Sequence, residues 1–217
     1  MRGDESFVRP AGQVLTWLRW QWLAVALLYG AAIVLAYTAL PAAWRRADDR
    51  VWLAMACGVA SVQLAILWIA LPFNHTNGSI RPSPWLGLAN WLTLTRGMLV
   101  ALLAGFVFAP MPWGWMAWIP AILYGVERIV DLLDGYVARV TRRESRLGAI
   151  LDMEFDGLGI LIASAVAIQY GKIPAWYLLL GVARPLFVAG TWLRQWLGWR
   201  VHPLAESDLR RIVAGVQ

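Results

Sequence analysis

The sequence predicts an all-α integral membrane protein, a bundle of about six transmembrane helices with a polar metal site near the cytoplasmic surface. Three observations carry this. Hydrophobic residues make up 60% of the 217 residues and charged residues 15%, against roughly half and a quarter in a soluble domain. The excess is gathered into runs, since no charged residue occurs from Trp20 to Trp44, from Val51 to Asn74 or from Gly97 to Val126. Each run exceeds the roughly 20 residues that cross a bilayer core. The later apolar segments then carry Asp131, Asp134, Asp152 and Asp156, which membrane depth disfavours unless they are paired, hydrated or metal-bound.

Taken in order, the spans are expected at 16–41, 51–72, 87–109, 114–138, 148–170 and 174–197. Helices are preferred to strands because the runs are long and do not alternate, and lipid requires the backbone to satisfy its own hydrogen bonds. Pro110, Pro112 and Gly114 mark a turn between the third and fourth spans, and Gly171 and Pro174 separate the fifth from the sixth. Phe73 to Pro84 reads as a linker, with Asn74, His75, Asn77, Gly78 and Ser79 in it. The chain therefore divides into an N-terminal two-span region with its linker, 1–80, and a core, 81–217. After the last span, Ser207 is placed to cap a short amphipathic helix. Cys57 is the single cysteine and has no partner within the chain for a disulfide.

The net charge of +6 does not indicate nucleic acid, because the arginines cluster between the apolar runs. That placement suits cytoplasmic loops and lipid headgroups. Tryptophans at 113, 115 and 118, and again at 192, 196 and 199, crowd segment ends as interfacial anchors do. The arginines at 139–146 favour a cytoplasmic loop. Counting back from them leaves Arg45, Arg46 and Arg50 outside, against the positive-inside rule, so one of the first two segments is read as re-entrant or misplaced.

Helical spacing organises the acids. At about 100° per residue, Asp131, Asp134, Gly135, Ala138 and Arg139 share a stripe roughly 140° wide. Gly148, Asp152 and Asp156 fall on a stripe of roughly 80° on the next helix. A short link makes these helices antiparallel neighbours, so four carboxylates converge. Four close acids need cations, and oxygen-only ligands suit magnesium, manganese or calcium rather than zinc. His75 and His202 lack metal-ligand spacing to a partner. The bland alternative, interhelical ion pairs with local arginines, accounts for one or two of the acids. Glu127, one turn before Asp131, is read either as a fifth site acid or as a partner of Arg128 or Arg96. Glu154 falls opposite Asp152 and is excluded.

These residues resemble the CDP-alcohol phosphatidyltransferases, whose signature is D-x2-D-G-x2-A-R-x8-G-x3-D-x3-D. Every fixed position is present, as Asp131, Asp134, Gly135, Ala138, Arg139, Gly148, Asp152 and Asp156. Asn90-Trp-Leu-Thr93-Leu-Thr95-Arg96 is similar to the family's P-N-x-L-T-x-x-R opening, with Ala89 in place of the proline. The resemblance covers about 86–200. It implies transfer of a phosphatidyl-type group from a CDP-linked lipid such as CDP-diacylglycerol to an alcohol, with release of CMP. It further implies that Asp131, Asp134, Asp152 and Asp156 bind a divalent metal, Mg2+ or Mn2+, and that Asp156 deprotonates the acceptor. Asn90, Thr93, Asp131, Asp134, Gly135, Ala138, Arg139 and Gly148 would contact the CDP group, and Arg96 and Arg184 are candidate acceptor contacts. A homodimer in a bacterial inner membrane, with its site facing the cytoplasm, is also implied.

The chain departs from the family in two respects. Four spans follow Leu86 where family members usually have six, and Gly157-Leu-Gly follows Asp156 where many glycerophosphate-accepting relatives carry a lysine. The acceptor stays open among glycerol phosphate, inositol phosphate, serine, choline and another lipid. A catalytically inactive member or scaffold is the alternative function. A membrane prenyltransferase, which needs two acidic motifs of different spacing, and a cation transporter, which places acids at the bilayer middle, fit less well.

Overall fold

A computed structural model of the protein describes residues 11–40, 42–75, 83–141 and 145–199. The helix expected after Ser207 and His202 lie outside the described residues. Six α-helices are present among them: α1 (Ala11–Ala39), α2 (Ala42–Ala70), α3 (Gly87–Ala104), α4 (Ile119–Thr141), α5 (Arg146–Gln169) and α6 (Leu178–Trp196). The chain forms two compact units, Met1–Gly181 and Val182–Gln217. Both N-terminal segments are continuous 29-residue helices, so neither is re-entrant within its described length.

The first unit is built around α3, which packs against α1, α2, α4 and α5. Its approach to them depends on missing side chains. A Cβ on Gly97 would lie 2.5 Å from the Phe155 ring and 2.6 Å from the Tyr29 hydroxyl, and one on Gly105 would enter the Trp52 indole. Small residues at such crossings let helices come close enough for dispersion and backbone contacts to hold them in lipid. Tyr29 uses the proximity to donate its hydroxyl proton to the Leu94 carbonyl at 2.7 Å. At the helix entry, Gln21 of α1 donates to the Pro84 carbonyl at 2.6 Å and accepts from the Leu86 N–H at 3.2 Å. The N-terminal helices thus clamp the start and middle of α3.

α1 and α2 begin earlier than expected, at Ala11 and Ala42, and two boundaries between the third and fourth spans also differ. The third span was expected to reach 109, yet α3 ends at Ala104. Phe108 takes a positive φ of 65°, and Gln169 at the end of α5 fastens this turn. Its Oε1 accepts from the Phe108 N–H at 2.5 Å, and its Nε2 donates to the Ala109 carbonyl. The chain then makes a 3-10 turn over Gly114–Trp118 before α4 starts at Ile119.

Three helical segments among the described residues, Gly12–Ala39, Arg50–Phe73 and Gly87–Ala104, are long and apolar enough to cross a membrane. The protein is a membrane protein by this measure and by its surface. α4 is inverted relative to a soluble helix: Ile122, Ile129, Leu132 and Leu133 face outward while Glu127 and Asp134 are buried. Trp113, Trp115 and Trp118 are exposed together before α4, in the pattern of an interfacial belt.

In the second unit, α6 closes with Gly198 at φ +71°. The Gly198 N–H donates to the Gln195 carbonyl at 3.0 Å and the Trp199 N–H to the Arg194 carbonyl at 2.9 Å. A glycine in the left-handed region is the usual way to satisfy the last carbonyls of a helix. Arg194 lies over the Trp199 ring, 6.0 Å from its centroid.

Filling the α1–α3–α5 crossing tests the hub. Gly97→Leu is expected to destabilise the fold by about 1–3 kcal/mol, the usual cost of overpacking a tight contact. Thermal unfolding in detergent should show a lower midpoint, and an unchanged midpoint would mean the crossing is looser than described.

Candidate active site

The site forms where α3, α4 and α5 meet, and it is ordered along α3. Asn90, Thr93 and Arg96 lie at three-residue intervals, so their side chains step along one side of the helix over about 9 Å. Each engages a different part of the signature sequence.

Asn90 is buried at the first level. Its Nδ2 donates to the Leu86 carbonyl at 2.5 Å and lies 3.2 Å from Ser145 Oγ, while its Oδ1 accepts from Ser145 at 3.2 Å. Ser145 is the N-cap of α5 and accepts from the Gly148 N–H at 2.9 Å. A Cβ on Gly148 would sit 2.5 Å from Asn90 Oδ1 and 3.1 Å from Ser145 Oγ. Gly148 is therefore small because the Asn90 carboxamide occupies the space beside it. Asn74 of the linker joins this knot, donating to the carbonyls of Ser83 and Trp85, both at 2.9 Å. A cavity of about 270 Å³ adjoins it, lined by Asn74, His75, Ser83, Trp85, Asn90 and Ser145 among others.

At the second level the Thr93 hydroxyl donates to Asp134. Asp134 is buried on this contact. Gly135, Ala138 and Arg139 follow in the last turns of α4, where the side chains lie outside the described residues. So does the side chain of Arg184 in α6.

The third level is an ion-pair network. Arg96 is fully buried. Its Nη1 lies 2.5 Å from Asp131 Oδ1 and 2.6 Å from Asp152 Oδ1, its Nη2 pairs with Asp156, and its Nε is 3.2 Å from Glu127 Oε1. Arg128 pairs with Glu127 at 2.6 Å and with Asp156 at 3.1 Å. Glu127 is thus the partner of both arginines. Arg96, expected as a candidate acceptor contact, faces the acids. Asp131, Asp152 and Asp156 each present a carboxylate oxygen within 4.8 Å of the others; Asp134 is not in that group.

The three carboxylates fit a hard divalent cation. All donors are oxygen, as Mg2+ or Mn2+ prefers. Three ligands of one small divalent ion lie roughly 3–4 Å apart, so an ion would draw these oxygens, now within 4.8 Å of one another, closer together. Two arginines face four acids in the network, which leaves two negative charges uncompensated when all are ionised. The side chains of Asp131, Asp152 and Asp156 are 29%, 51% and 36% exposed, so the group opens to an incoming ligand.

With this geometry in place, residues 86–217 match the family model of the CDP-alcohol phosphatidyltransferases. The chain belongs to that family. Among similar proteins, the CDP-diacylglycerol--glycerol-3-phosphate 3-phosphatidyltransferase of Cereibacter sphaeroides is 31% identical over 127 residues, covering 57% of this chain and 56% of that one. The Bacillus subtilis protein of the same name is 30% identical over 140 residues, 60% of this chain and 72% of that one. A third, from Yersinia enterocolitica, is 30% identical over 117 residues, 52% and 60%. The match thus spans from just over half to under three quarters of these relatives. No solved structure matches the chain.

Sequence reasoning did not single out Ser145 or Asn74. Ser145 carries a local signal, a serine placed just before the apolar-periodic stretch that starts α5. Asn74 carries none, because its partners are backbone carbonyls that only the folded linker presents.

The packing account of Gly148 makes a specific prediction. Gly148→Ala should cost about 1–3 kcal/mol, and Asn90→Ala should remove most of that penalty. In a double-mutant cycle on thermal stability the two changes then cost less together than their sum. Strict additivity would mean that the glycine does not yield space to Asn90.

Proposed function

We propose that the protein is a metal-dependent transferase that moves a phosphatidyl group from CDP-diacylglycerol to an alcohol and releases CMP. The observation that supports this most directly is the convergence of Asp131, Asp152 and Asp156 from two helices on one point. It occurs in a chain of this family with every fixed signature residue present.

Asp131, Asp152 and Asp156, with Asp134 nearby, would hold a divalent cation, Mg2+ or Mn2+, which would supply neutralisation of the diphosphate and of the charge on the departing CMP. The protein's own groups do the rest. Asn90, Thr93 and Gly148, with Gly135, Ala138 and Arg139 at the end of α4, form the CDP-binding side. The cavity beside Asn90 takes the nucleoside end. Its distance from the acids, about 9 Å along α3, suits a nucleoside diphosphate laid between them. Asp156 accepts the proton of the acceptor hydroxyl. Both of its ion pairs among the described residues use Oδ1, which leaves Oδ2 to face the acceptor.

Glycerol 3-phosphate is the first acceptor proposed, since the similar proteins carry it in their names. Arg184, an arginine within helix α6, is the candidate contact for its charge, since Arg96 is taken up by the acids. The chain passes the bacterial inner membrane more than once, with the site toward the cytoplasm. Lipid or a second copy of the chain covers exposed apolar residues such as Leu132 and Leu186.

The test is CMP release from CDP-diacylglycerol by the full chain in lipid, across a panel of acceptors. Release should need Mg2+ or Mn2+ and stop on chelation. Asp156→Asn should lower turnover by roughly 10²–10⁴-fold, the range for losing a general base. No release with any acceptor from folded protein would refute the enzyme and favour the scaffold reading.

A further inference from the structure

The buried guanidinium of Arg96 occupies the same carboxylates that a metal would use. Its terminal nitrogens lie between Asp131, Asp152 and Asp156, whose oxygens converge within 4.8 Å. A divalent ion bonded at about 2.1 Å to the Oδ1 atoms of Asp131 and Asp152 would compete for them with Nη1, which sits 2.5 Å and 2.6 Å away. Cation repulsion at this short range adds to the conflict. The inner edge of the guanidinium is held separately. Nε is on Glu127, which is itself buried and paired with Arg128.

We propose that Arg96 is a resident counter-cation that holds the three carboxylates together in the metal-free protein and that the metal must displace. On loading, Nη1 and Nη2 leave the carboxylates while Nε stays anchored on Glu127. The device offsets part of the acids' charge within the membrane protein when no metal is present, and it lowers the apparent metal affinity. Arg96 acts through the ligands and is a positioning residue. The proposal rests on the metal-dependent reading of the site, but it makes its own prediction about affinity.

A partner that supports metal ligands from behind loses roughly 10–100-fold in metal affinity when mutated. A resident competitor does the opposite. Arg96→Gln should therefore bind Mn2+ more tightly, on the order of tenfold or more, because a positive charge within about 4 Å of the ion is gone. The experiment titrates full-length protein in detergent with Mn2+ alone, read by electron paramagnetic resonance of the free ion, beside melting curves. Metal-free Arg96→Gln should melt below the parent, and Mn2+ should raise its midpoint by more than it raises the parent's. Arg96→Lys retains a charge but cannot bridge the acids as a fork can; it should also bind more tightly, with a smaller gain, and it carries the test if Arg96→Gln does not fold. Unchanged or weaker Mn2+ binding in the folded variants would overturn the proposal while leaving the metal site standing. A parent protein that binds no Mn2+ would overturn the metal reading itself and this proposal with it.

Discussion

A single buried arginine joins the three helices that carry the family signature. Arg96 comes from the middle of α3 and meets Glu127 and Asp131 of α4 and Asp152 and Asp156 of α5. Stripping a guanidinium of water costs several kcal/mol unless its hydrogen bonds are replaced. Here four carboxylates replace them. The same contacts fix the rotation of α4 and α5 about their axes, since any other rotation would strand charge against lipid or bury it alone. The acids face inward because the arginine is there, and the apolar residues of α4 face outward as a consequence.

That constraint explains the support around α3. A helix carrying a buried charge network needs its position fixed on the other side, and α1 and α2 provide this through uncharged side chains. Tyr29 reaches the Leu94 carbonyl, Gln21 ties down the entry turn, and Trp52 packs where Gly105 leaves room. Lipid offers no hydrophobic drive for helices to associate, so close contact through small residues and hydrogen bonds carries the packing. Gly181 follows the same rule, because its Cβ would fall 2.7 Å from the Leu161 backbone. The N-terminal helices thus buttress the helix from which the site is built.

The acids were legible in the sequence because helical spacing fixes which residues share a face. Asp152 and Asp156, one turn apart, point together in any α-helix, and Asp131 lies within reach once α4 and α5 are neighbours. What spacing cannot supply is the pairing across helices. The sequence offered Arg96 as an acceptor contact and Glu127 with two readings; the folded chain brings these two together. It also grouped Asp134 with the other acids, whereas the structure places it against Thr93. Boundary errors had a similar origin. The apolar run through 109 gave no sign that Gln169, sixty residues later, would fasten a turn at Phe108. Gly148 was expected to contact the CDP group, and only the folded chain shows the Asn90 side chain filling the space beside it.

The central claim is that Asp131, Asp152 and Asp156 form one metal centre at the junction of α4 and α5, beside α3. Anomalous diffraction from crystals of the full chain grown in lipid with Mn2+ and CDP-diacylglycerol tests it most directly. The account predicts a manganese peak bounded by those three carboxylates, with the Arg96 terminal nitrogens withdrawn from them. An ordered site with bound nucleotide and no manganese there, or manganese held by other residues, would contradict it.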